Sequence, residues 1–285
     1  MKTVAIIGGS QGFRVLTSEL AASTIDPIET PFGFSPPIHK LDIDGADVYF
    51  LSRHGEKGYS LSAPFVNYRA NIWALKELGV SRIVAWSGPG AISTDIPIGD
   101  ILVPGDMIDE TRSRKYTFFE GLGIGFIRQN PVFCPSLSAN LRRAIEAKQG
   151  HCRAEDVYVC TEGPRLETRA EIRKYAAFGA TLVGMTLIPE AFLAKELEIC
   201  YCPICYVTNY AEGVVERKYK PGELFEGLLA SCERNSVDDA VAALPELALQ
   251  ALLSDSEQEC LCNQSMERYK RRGDIGPDWH TWIHR

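Results

Sequence analysis

Five short segments of this 285-residue chain carry groups that could bind a small anion. Three supply a hydroxyl group, one supplies a guanidinium beside an imidazole, and two supply glycine backbone that could bring N–H groups close to a ligand. Arginine, hydroxyls and backbone N–H groups together are what a phosphate dianion requires. The segments are Gly8-Gly9-Ser10, Ser52-Arg53-His54-Gly55, Ser87-Gly88-Pro89-Gly90, Gly184-Met185-Thr186 and Thr208-Asn209-Tyr210.

All five segments follow short apolar runs that predict β-strands, and helical periodicities alternate with those runs. Predicted strands are Val4–Ile7, Asp47–Leu51, Arg82–Trp86, Val157–Cys160, Thr181–Gly184 and Tyr201–Thr208. Predicted helices are Asn67–Leu78, Leu137–Lys148, Glu167–Phe178, Glu190–Glu198 after Pro189, and Pro221–Leu253 with a break or kink at Pro245. The alternation indicates an α/β layered fold with a largely central sheet. Ligands of such sheets bind at the carboxyl ends of the strands, where the five segments lie.

Composition narrows the class of protein. The net charge is −7 with a pI near 5.4, and without a basic surplus we expect no nucleic-acid partner. No apolar run reaches the roughly 18–20 residues that span a bilayer, and the first apolar run is too short for a signal peptide. We therefore expect a cytoplasmic protein without a membrane partner. Its length allows one large domain or two small ones.

The nine cysteines are expected to be free thiols, because most lie in apolar runs where cysteine behaves as a small hydrophobe. Cys200-x-Cys202-x-x-Cys205 has a spacing typical of metal sites, but its neighbours predict a buried strand. Cys260-x-Cys262 lies in a polar stretch, which leaves redox pairing open. His280 and His284 lack an accompanying carboxylate motif, and the tail's tryptophans are expected to dock on the body or on a neighbouring subunit. No metal site is predicted.

The sequence resembles the trimeric purine nucleoside phosphorylases, in particular their methylthioadenosine phosphorylase subfamily. The matching segments run in family order from residue 4 to about residue 250. The most specific are Val66–Lys76 and Cys160-Thr161-Glu162-Gly163-Pro164-Arg165, and the others are Ile6–Ser10, Arg53-His54-Gly55, Gly99-Asp100-Ile101, Gly184-Met185-Thr186, Pro189-Glu190 and Thr208-Asn209-Tyr210. The resemblance implies a single-domain three-layer α/β/α phosphorylase fold with a mixed central sheet, over residues 1–253, followed by a C-terminal extension, 254–285.

The resemblance also implies the reaction and its residues. A purine nucleoside and phosphate would give free purine and ribose 1-phosphate, or its 5-methylthio analogue, in a homotrimer or homohexamer without metal or organic cofactor. The catalytic residues would be Arg53, His54 and Asn209. Phosphate would be held by Ser10, Arg53, His54, Ser87, the backbone of Gly88, and Thr186. The nucleoside would be contacted by Met185, Glu167, Asn209, Ala211 and Leu166, with Phe126 reaching a neighbour's 5′ pocket.

Two of these residues bear on the choice of base. Adenine-type relatives carry aspartate where this chain has Asn209 and serine or threonine where it has Glu167, whereas 6-oxopurine relatives carry asparagine and glutamate. A carboxylate can accept the N1–H of hypoxanthine or guanine but repels adenine N1, which is itself an acceptor. The sequence therefore resembles the 6-oxopurine branch, with inosine, guanosine or methylthioinosine as substrate. The alternative role for Glu167 is to cap the helix that it begins.

Two other functions stay open at this stage. Gly8-x-Ser10-x-Gly12 satisfies the nucleophile-elbow motif of α/β-hydrolases, which would make the protein a serine esterase. Against this, such elbows normally follow several strands, and this one follows the first predicted strand. The second alternative is a non-catalytic homologue that binds an aromatic ligand in the inherited pocket.

Overall fold

The computed structural model describes residues 2–9, 22–55, 59–218, 221–224, 229–255 and 258–283. The strands are β1 (Thr3–Gly8), β2 (Ala22–Ile25), β3 (Glu29–Thr30), β4 (Gly33–Phe34), β5 (Ile38–Ile43), β6 (Ala46–Ser52), β7 (Arg82–Ser87), β8 (Gly90–Ala91), β9 (Ile101–Leu102), β10 (Asp106–Glu110), β11 (Val157–Thr161), β12 (Leu182–Gly184), β13 (Cys200–Tyr206) and β14 (Asn209–Tyr210). The α-helices are α1 (Tyr68–Glu77), α2 (Pro135–Gln149), α3 (Arg169–Ala177), α4 (Glu190–Glu196), α5 (Ser231–Leu253) and α6 (Glu267–Arg272).

The larger sheet has seven strands in the order β2-β5-β6-β1-β7-β13-β9. Its four central strands, β6, β1, β7 and β13, are parallel, so their carboxyl ends share one edge. β1 is buried because parallel strands are covered on both faces, and Val4 to Ile7 accordingly form an unbroken apolar run with 0% exposure. β2, β5 and β9 pair antiparallel, which makes the sheet mixed as expected.

A second sheet has five strands in the order β10-β11-β12-β8-β14. β10, β11 and β12 are parallel to one another, while β8 joins β12 antiparallel and β14 parallel. The expected single central sheet is thus two hydrogen-bonded sheets. β7 leads directly into β8, and β13 into β14, so two chain crossings carry the site segments from one sheet to the other.

Helices cover both faces of β13, which gives the three layers. Alternate residues of a strand point to opposite faces. The Tyr201 hydroxyl donates to Glu190 of α4 at 2.8 Å, whereas Cys202 on the other face lies 3.1 Å from the Ser138 hydroxyl of α2. The single-domain α/β fold expected from the sequence is confirmed.

Two predicted helix boundaries were wrong. Helix α3 begins at Arg169 rather than at Glu167, because Thr168 is its N-cap. The helix predicted from Pro221 begins only at Ser231, after Gly222 has adopted a φ of +87°. It then continues through Pro245 as one helix, so of the expected break or kink the break was wrong. The proline removes one hydrogen bond, but the buried face of Leu244, Leu247 and Ala248 holds the segment in place.

The C-terminal extension packs on the body, as expected for its tryptophans. The Trp279 ring lies edge-on to Trp73 of α1 with centroids 4.7 Å apart. Trp282 is 2% exposed in a small cluster with Phe119, Met266 and Tyr269. His280 pairs with Asp278 and Glu77, and His284 lies outside the described residues. No helix in the described part of the chain is long and apolar enough to cross a membrane.

Candidate active site

The carboxyl ends of β6, β1, β7 and β13 bring four predicted site segments side by side. The backbone N–H of Arg53 donates to the Gly8 carbonyl at 2.9 Å, and that of Thr208 donates to the Pro89 carbonyl at 3.0 Å. Gly88 is exposed at this edge, so its backbone is accessible. Ser10, together with Gln11 and Gly12 of the hydrolase-like motif, lies outside the described residues.

Arg53 is held in a buried ion pair with Glu190. Its Nε and one Nη donate to the two carboxylate oxygens at 2.8 and 2.7 Å, and both side chains are at most 1% exposed. The other Nη donates to the Trp86 carbonyl at 3.3 Å, directly before Ser87. Burial lowers the pKa of the guanidinium, but Glu190 more than offsets this and leaves it raised. Arg53 is therefore a fixed positive charge beside β7, with N–H groups that these bonds do not use.

The neighbouring His54 is electrically neutral at physiological pH. Burial and the nearby Arg53 lower the pKa of its imidazole to about 4. Nδ1 lies 2.9 Å from the Leu61 carbonyl, which can only accept, so Nδ1 carries the proton and Nε2 is left with a lone pair. The Tyr59 ring packs on the imidazole with centroids 4.8 Å apart. His54 thus offers an acceptor to a ligand that carries an O–H group.

Three hydroxyl groups meet where the end of β7 approaches strands β11 and β12 of the second sheet. Ser87 Oγ lies 3.1 Å from Thr186 Oγ1 and 3.0 Å from the Tyr158 hydroxyl. Burial raises the pKa of the Tyr158 phenol, so it stays protonated and can donate. Two predicted residues from distant parts of the sequence are thereby joined in one donor cluster. Tyr158 was missed, because within the predicted strand Val157–Cys160 nothing distinguishes it from a core aromatic.

Gly184 is the close approach that permits this cluster. A Cβ atom at this position would lie 2.0 Å from the Tyr158 hydroxyl oxygen and 2.6 Å from Cζ. Tyr158 is 0% exposed and cannot move aside without disturbing the core. Any side chain at 184 must therefore displace Tyr158 and with it Ser87.

We expect Gly184→Ala to lower the free energy of unfolding by about 1–3 kcal/mol, the usual cost of overpacking. Urea denaturation of the purified variant measures this directly. Gly123→Ala is the matched control, because nothing lies within 4 Å of a Cβ built at Gly123. Equal stabilities of the two variants would contradict the proposed close packing.

Glu167 lies at the end of the second sheet and does not cap α3. The capping box is formed instead by Thr168 and Glu171, whose side chains bond each other's backbone N–H at 3.2 and 2.8 Å. Glu167 accepts a bond from the Thr161 hydroxyl at 2.5 Å and lines a cleft with Thr161 and Arg165. The alternative role considered for Glu167 was therefore wrong, and its carboxylate is half-buried at the site.

Asn209 opens strand β14 and pairs with Gly90 across from β12. Its Oδ1 accepts from the Thr208 hydroxyl at 2.7 Å, and its Nδ2 donates to the Tyr210 carbonyl at 2.8 Å. A Cβ at Gly90 would lie 3.2 Å from Nδ2, so this glycine leaves room for the amide. The bond to Tyr210 uses one of the two Nδ2 hydrogens and leaves the other for a ligand.

Of the remaining residues predicted to contact the nucleoside, three lie beside other predicted site residues and one lies on a different segment. Met185 packs over Gly163, where a Cβ would lie 2.6 Å from its sulfur. Ala211 is buried beside Gly90, and Leu166 is 40% exposed next to Glu167. Phe126 lies on another segment, where its N–H donates to the Tyr269 hydroxyl at 2.7 Å. Its ring is 80% exposed, as a contact with a neighbouring subunit would require.

A buried arginine, also missed from the sequence, ties the site loops together. Arg114 is 5% exposed and donates to the carbonyls of Thr161 and Glu162 at 3.0 and 2.7 Å, and of Met185 and Ile188 at 2.6 and 2.5 Å. It thus fixes the loop before Glu167 to the loop that carries Thr186. Strand β10 ends shortly before Arg114, but that strand was not predicted from the sequence, and Arg114 lies in no recognisable motif, so it was missed.

The sequence and the fold match known proteins over most of the chain. A family model described as "Phosphorylase superfamily" matches residues 3–236. The chain is 39% identical to a probable S-methyl-5′-thioinosine phosphorylase of Methanothermobacter thermautotrophicus, covering 92% of this chain and 88% of the relative. It is 36% identical to a 6-oxopurine nucleoside phosphorylase of Pyrococcus furiosus, covering 94% and 98%. The crystal structure of a methylthioadenosine phosphorylase from an antarctic soil metagenomic library superimposes with a TM-score of 0.79 at 30% identity, covering 93% and 90%.

Proposed function

The chain belongs to the phosphorylase superfamily, and on that premise we propose that it cleaves 6-oxopurine nucleosides with phosphate. Inosine, guanosine or 5′-methylthioinosine would give the free purine and ribose 1-phosphate or its 5-methylthio analogue. One observation carries the choice of base: Glu167 is released from helix capping and bonded to Thr161 at the ligand edge of the same sheet that bears Asn209. The names of the relatives from Methanothermobacter and Pyrococcus agree with this choice.

The phosphate half of the proposed site is the edge formed by Arg53, His54, Ser87 and Thr186. The hydroxyl cluster and the exposed Gly88 backbone donate to phosphate oxygens, and Arg53, oriented by Glu190, adds the guanidinium N–H groups that its ion pair leaves unused. Neutral His54 accepts the remaining O–H of hydrogen phosphate at Nε2. A dianion held in this way is oriented before the reaction begins, which removes much of its entropic cost.

The N-glycosidic bond breaks through a state in which the sugar resembles an oxocarbenium ion, as in glycoside cleavage. The bound phosphate stabilises that positive charge and then forms the new bond to the anomeric carbon. The purine leaves with the electrons of the broken bond and takes up, as the free base, the proton that hydrogen phosphate gives up when the sugar phosphate forms. Asn209 donates its unused Nδ2–H to the base and so disperses the developing negative charge, whereas Glu167 accepts N1–H and thereby selects the 6-oxopurine.

A phosphate-dependent nucleoside screen tests the proposal. We expect hypoxanthine release from inosine or methylthioinosine only when phosphate is present, with adenosine and methylthioadenosine reacting at least about tenfold more slowly. Chromatography of base and sugar phosphate measures both products. Release of base without phosphate, or equal rates for 6-oxo and 6-amino substrates, would contradict the proposal.

Assembly and location are parts of the same proposal. A homotrimer or homohexamer would let the exposed Phe126 ring contribute to a neighbour's 5′ pocket, and purine turnover would take place in the cytoplasm. The reaction as written needs no metal or organic cofactor.

A further inference from the structure

Four cysteines from three separate parts of the chain meet at one point, away from the proposed nucleoside site. Cys134 is the N-cap residue of α2, and Cys200 is the first residue of β13. Cys260 and Cys262 belong to the C-terminal extension, where Cys262 begins a short 3-10 helix. Their four Sγ atoms all lie within 4.8 Å of one another, and those of Cys200 and Cys260 are 3.6 Å apart.

The spacing of these sulfurs fits coordination of a single metal ion. Zinc binds thiolates at about 2.3 Å, so two thiolates of a tetrahedral site lie about 3.8 Å apart. All four cysteines are free thiols in this structure. A metal ion at their centre would engage all four sulfurs at once, whereas a disulfide would require each pair to move into covalent contact, at about 2.05 Å.

The surroundings favour a closed structural site. Cys134 is buried, and the other three cysteines are half-buried. Cys134 lies at the positive end of α2, which stabilises thiolate charge, and the Lys195 ammonium lies near Cys134 and Cys262. Four thiolates leave no open coordination position for a substrate, and soft sulfur ligands select Zn²⁺ over Mg²⁺ or Ca²⁺.

We propose that Cys134, Cys200, Cys260 and Cys262 bind one Zn²⁺ ion that fastens the C-terminal extension to the body. From the sequence, no metal site was expected anywhere in the chain, neither at Cys200-x-Cys202-x-x-Cys205 nor at the pair His280 and His284, so the proposed site departs from that expectation. Of the three cysteines in that strand motif, only Cys200 joins the cluster. Alternation along β13 places Cys205 on the opposite face, and Cys202, on the same face, lies 3.1 Å from the Ser138 hydroxyl instead. The proposed ligand set combines Cys260 and Cys262, which are close in sequence, with Cys134 and Cys200, which are far from them in sequence.

The extension fastened in this way also supports the Phe126 segment. Beyond Cys262, Ser265 donates to the Lys195 carbonyl at 2.5 Å, and Lys270 pairs with Glu198 at 2.6 Å. The Tyr269 hydroxyl oxygen then accepts a hydrogen bond from the Phe126 N–H at 2.7 Å. A metal ion at the base of the extension would therefore limit the motion of the segment that presents Phe126.

Metal analysis of the full chain, purified without chelators under reducing conditions, tests the proposal. We expect inductively coupled plasma mass spectrometry to find one zinc ion per chain. After growth with Co²⁺, we expect the visible bands of tetrahedral cobalt together with thiolate-to-cobalt charge transfer. A preparation that holds no metal and four alkylatable thiols at these positions, or two disulfides at these positions by peptide mapping, would overturn the proposal.

Matched variants assign the ligands. Cys260→Ala should lose the metal, whereas Cys260→His should retain it, because a three-cysteine, one-histidine set also binds zinc. Cys232→Ser is the control, since Cys232 is exposed and outside the cluster. Retention of one zinc in Cys260→Ala would contradict the assignment. Should Cys260→Ala fail to fold, the cobalt spectrum of the wild-type chain still decides whether four thiolates bind.

Removal of zinc from the wild-type chain provides a readout of its structural role. We expect a chelator to lower the melting temperature and to expose the extension to limited proteolysis, with cleavage mapped by mass spectrometry to residues 254–283. Readdition of Zn²⁺ should reverse both effects. Unchanged melting and cleavage after complete metal removal would contradict the fastening role. None of the four cysteines belongs to the nucleoside site, so failure here leaves the proposed phosphorolysis standing.

Discussion

Arg53→Ala is expected to lower the free energy of unfolding by about 3–5 kcal/mol and to raise the phosphate KM by about ten- to a hundredfold. The loss of stability arises because Glu190, with a 0% exposed side chain, would keep its charge without its partner. The rise in KM arises because the proposed charge-assisted bonds to phosphate are lost. Denaturant unfolding measures the first effect, and initial rates over a phosphate series measure the second.

A double variant separates the two effects. In Arg53→Met/Glu190→Gln both buried charges are removed, while the amide oxygen still accepts the Tyr201 hydroxyl, which lies 2.8 Å from the native carboxylate. Such replacement of a buried ion pair is often close to neutral for stability. We therefore expect stability to recover substantially while the phosphate KM stays raised. Recovery of both together would mean that Arg53 only supports the fold.

Asn209→Asp is expected to change the ratio of kcat/KM for inosine to that for adenosine by about a hundredfold in favour of adenosine, and Glu167→Ser/Asn209→Asp by more. A buried polar group left without a partner costs about 1–3 kcal/mol. Asn209→Asp and Glu167→Ser would each remove one unfavourable contact between the site and adenine. Aspartate can accept from the 6-amino group, and serine no longer repels adenine N1. Steady-state kinetics with both nucleosides measures the ratio.

Glu171→Gln is the matched control for this prediction. Glu171 lines the same cleft as Glu167, but its carboxylate is occupied by Arg165 and by the N-terminus of α3. Its replacement should weaken the helix without altering base preference. A ratio that shifts as much in Glu171→Gln as in Asn209→Asp would show that general charge in the cleft, not a base contact, sets the preference.

The two halves of the proposed site are joined by close backbone packing at Gly184. Its carbonyl lies 3.4 Å from the Thr161 hydroxyl that bonds Glu167, while its missing side chain makes room for Tyr158 and hence Ser87. Arg114 holds the flanking loops at the same place. The proposed base and phosphate contacts are therefore held in a fixed position relative to each other by the second sheet, as a reaction between two bound substrates would require.

The features that depend only on residues close together in the sequence were predictable. Apolar runs at Val4–Ile7 and Arg82–Trp86 became central strands because their composition suits burial on both faces, and the polar segments after them lie at the ligand edge. The helix boundary at Glu167 was wrong because two carboxylates, Glu167 and Glu171, compete for the same helix start, and only capping geometry decides between them.

By itself, the sequence determined the α/β class, the order of the longer helices and of the central parallel strands, and which side chains stand at the ends of those strands, since periodicity and turn residues act over a few positions. It did not predict β2 to β5, β8 to β10, β14 or α6. Only the tertiary structure decided that Arg53 pairs with Glu190, 137 residues away, and that Cys134 and Cys200 meet the extension's cysteines. Contacts of this kind depend on how buried surfaces pack across the whole chain. No short segment encodes that packing, because the free energy that selects it is shared among residues from every layer.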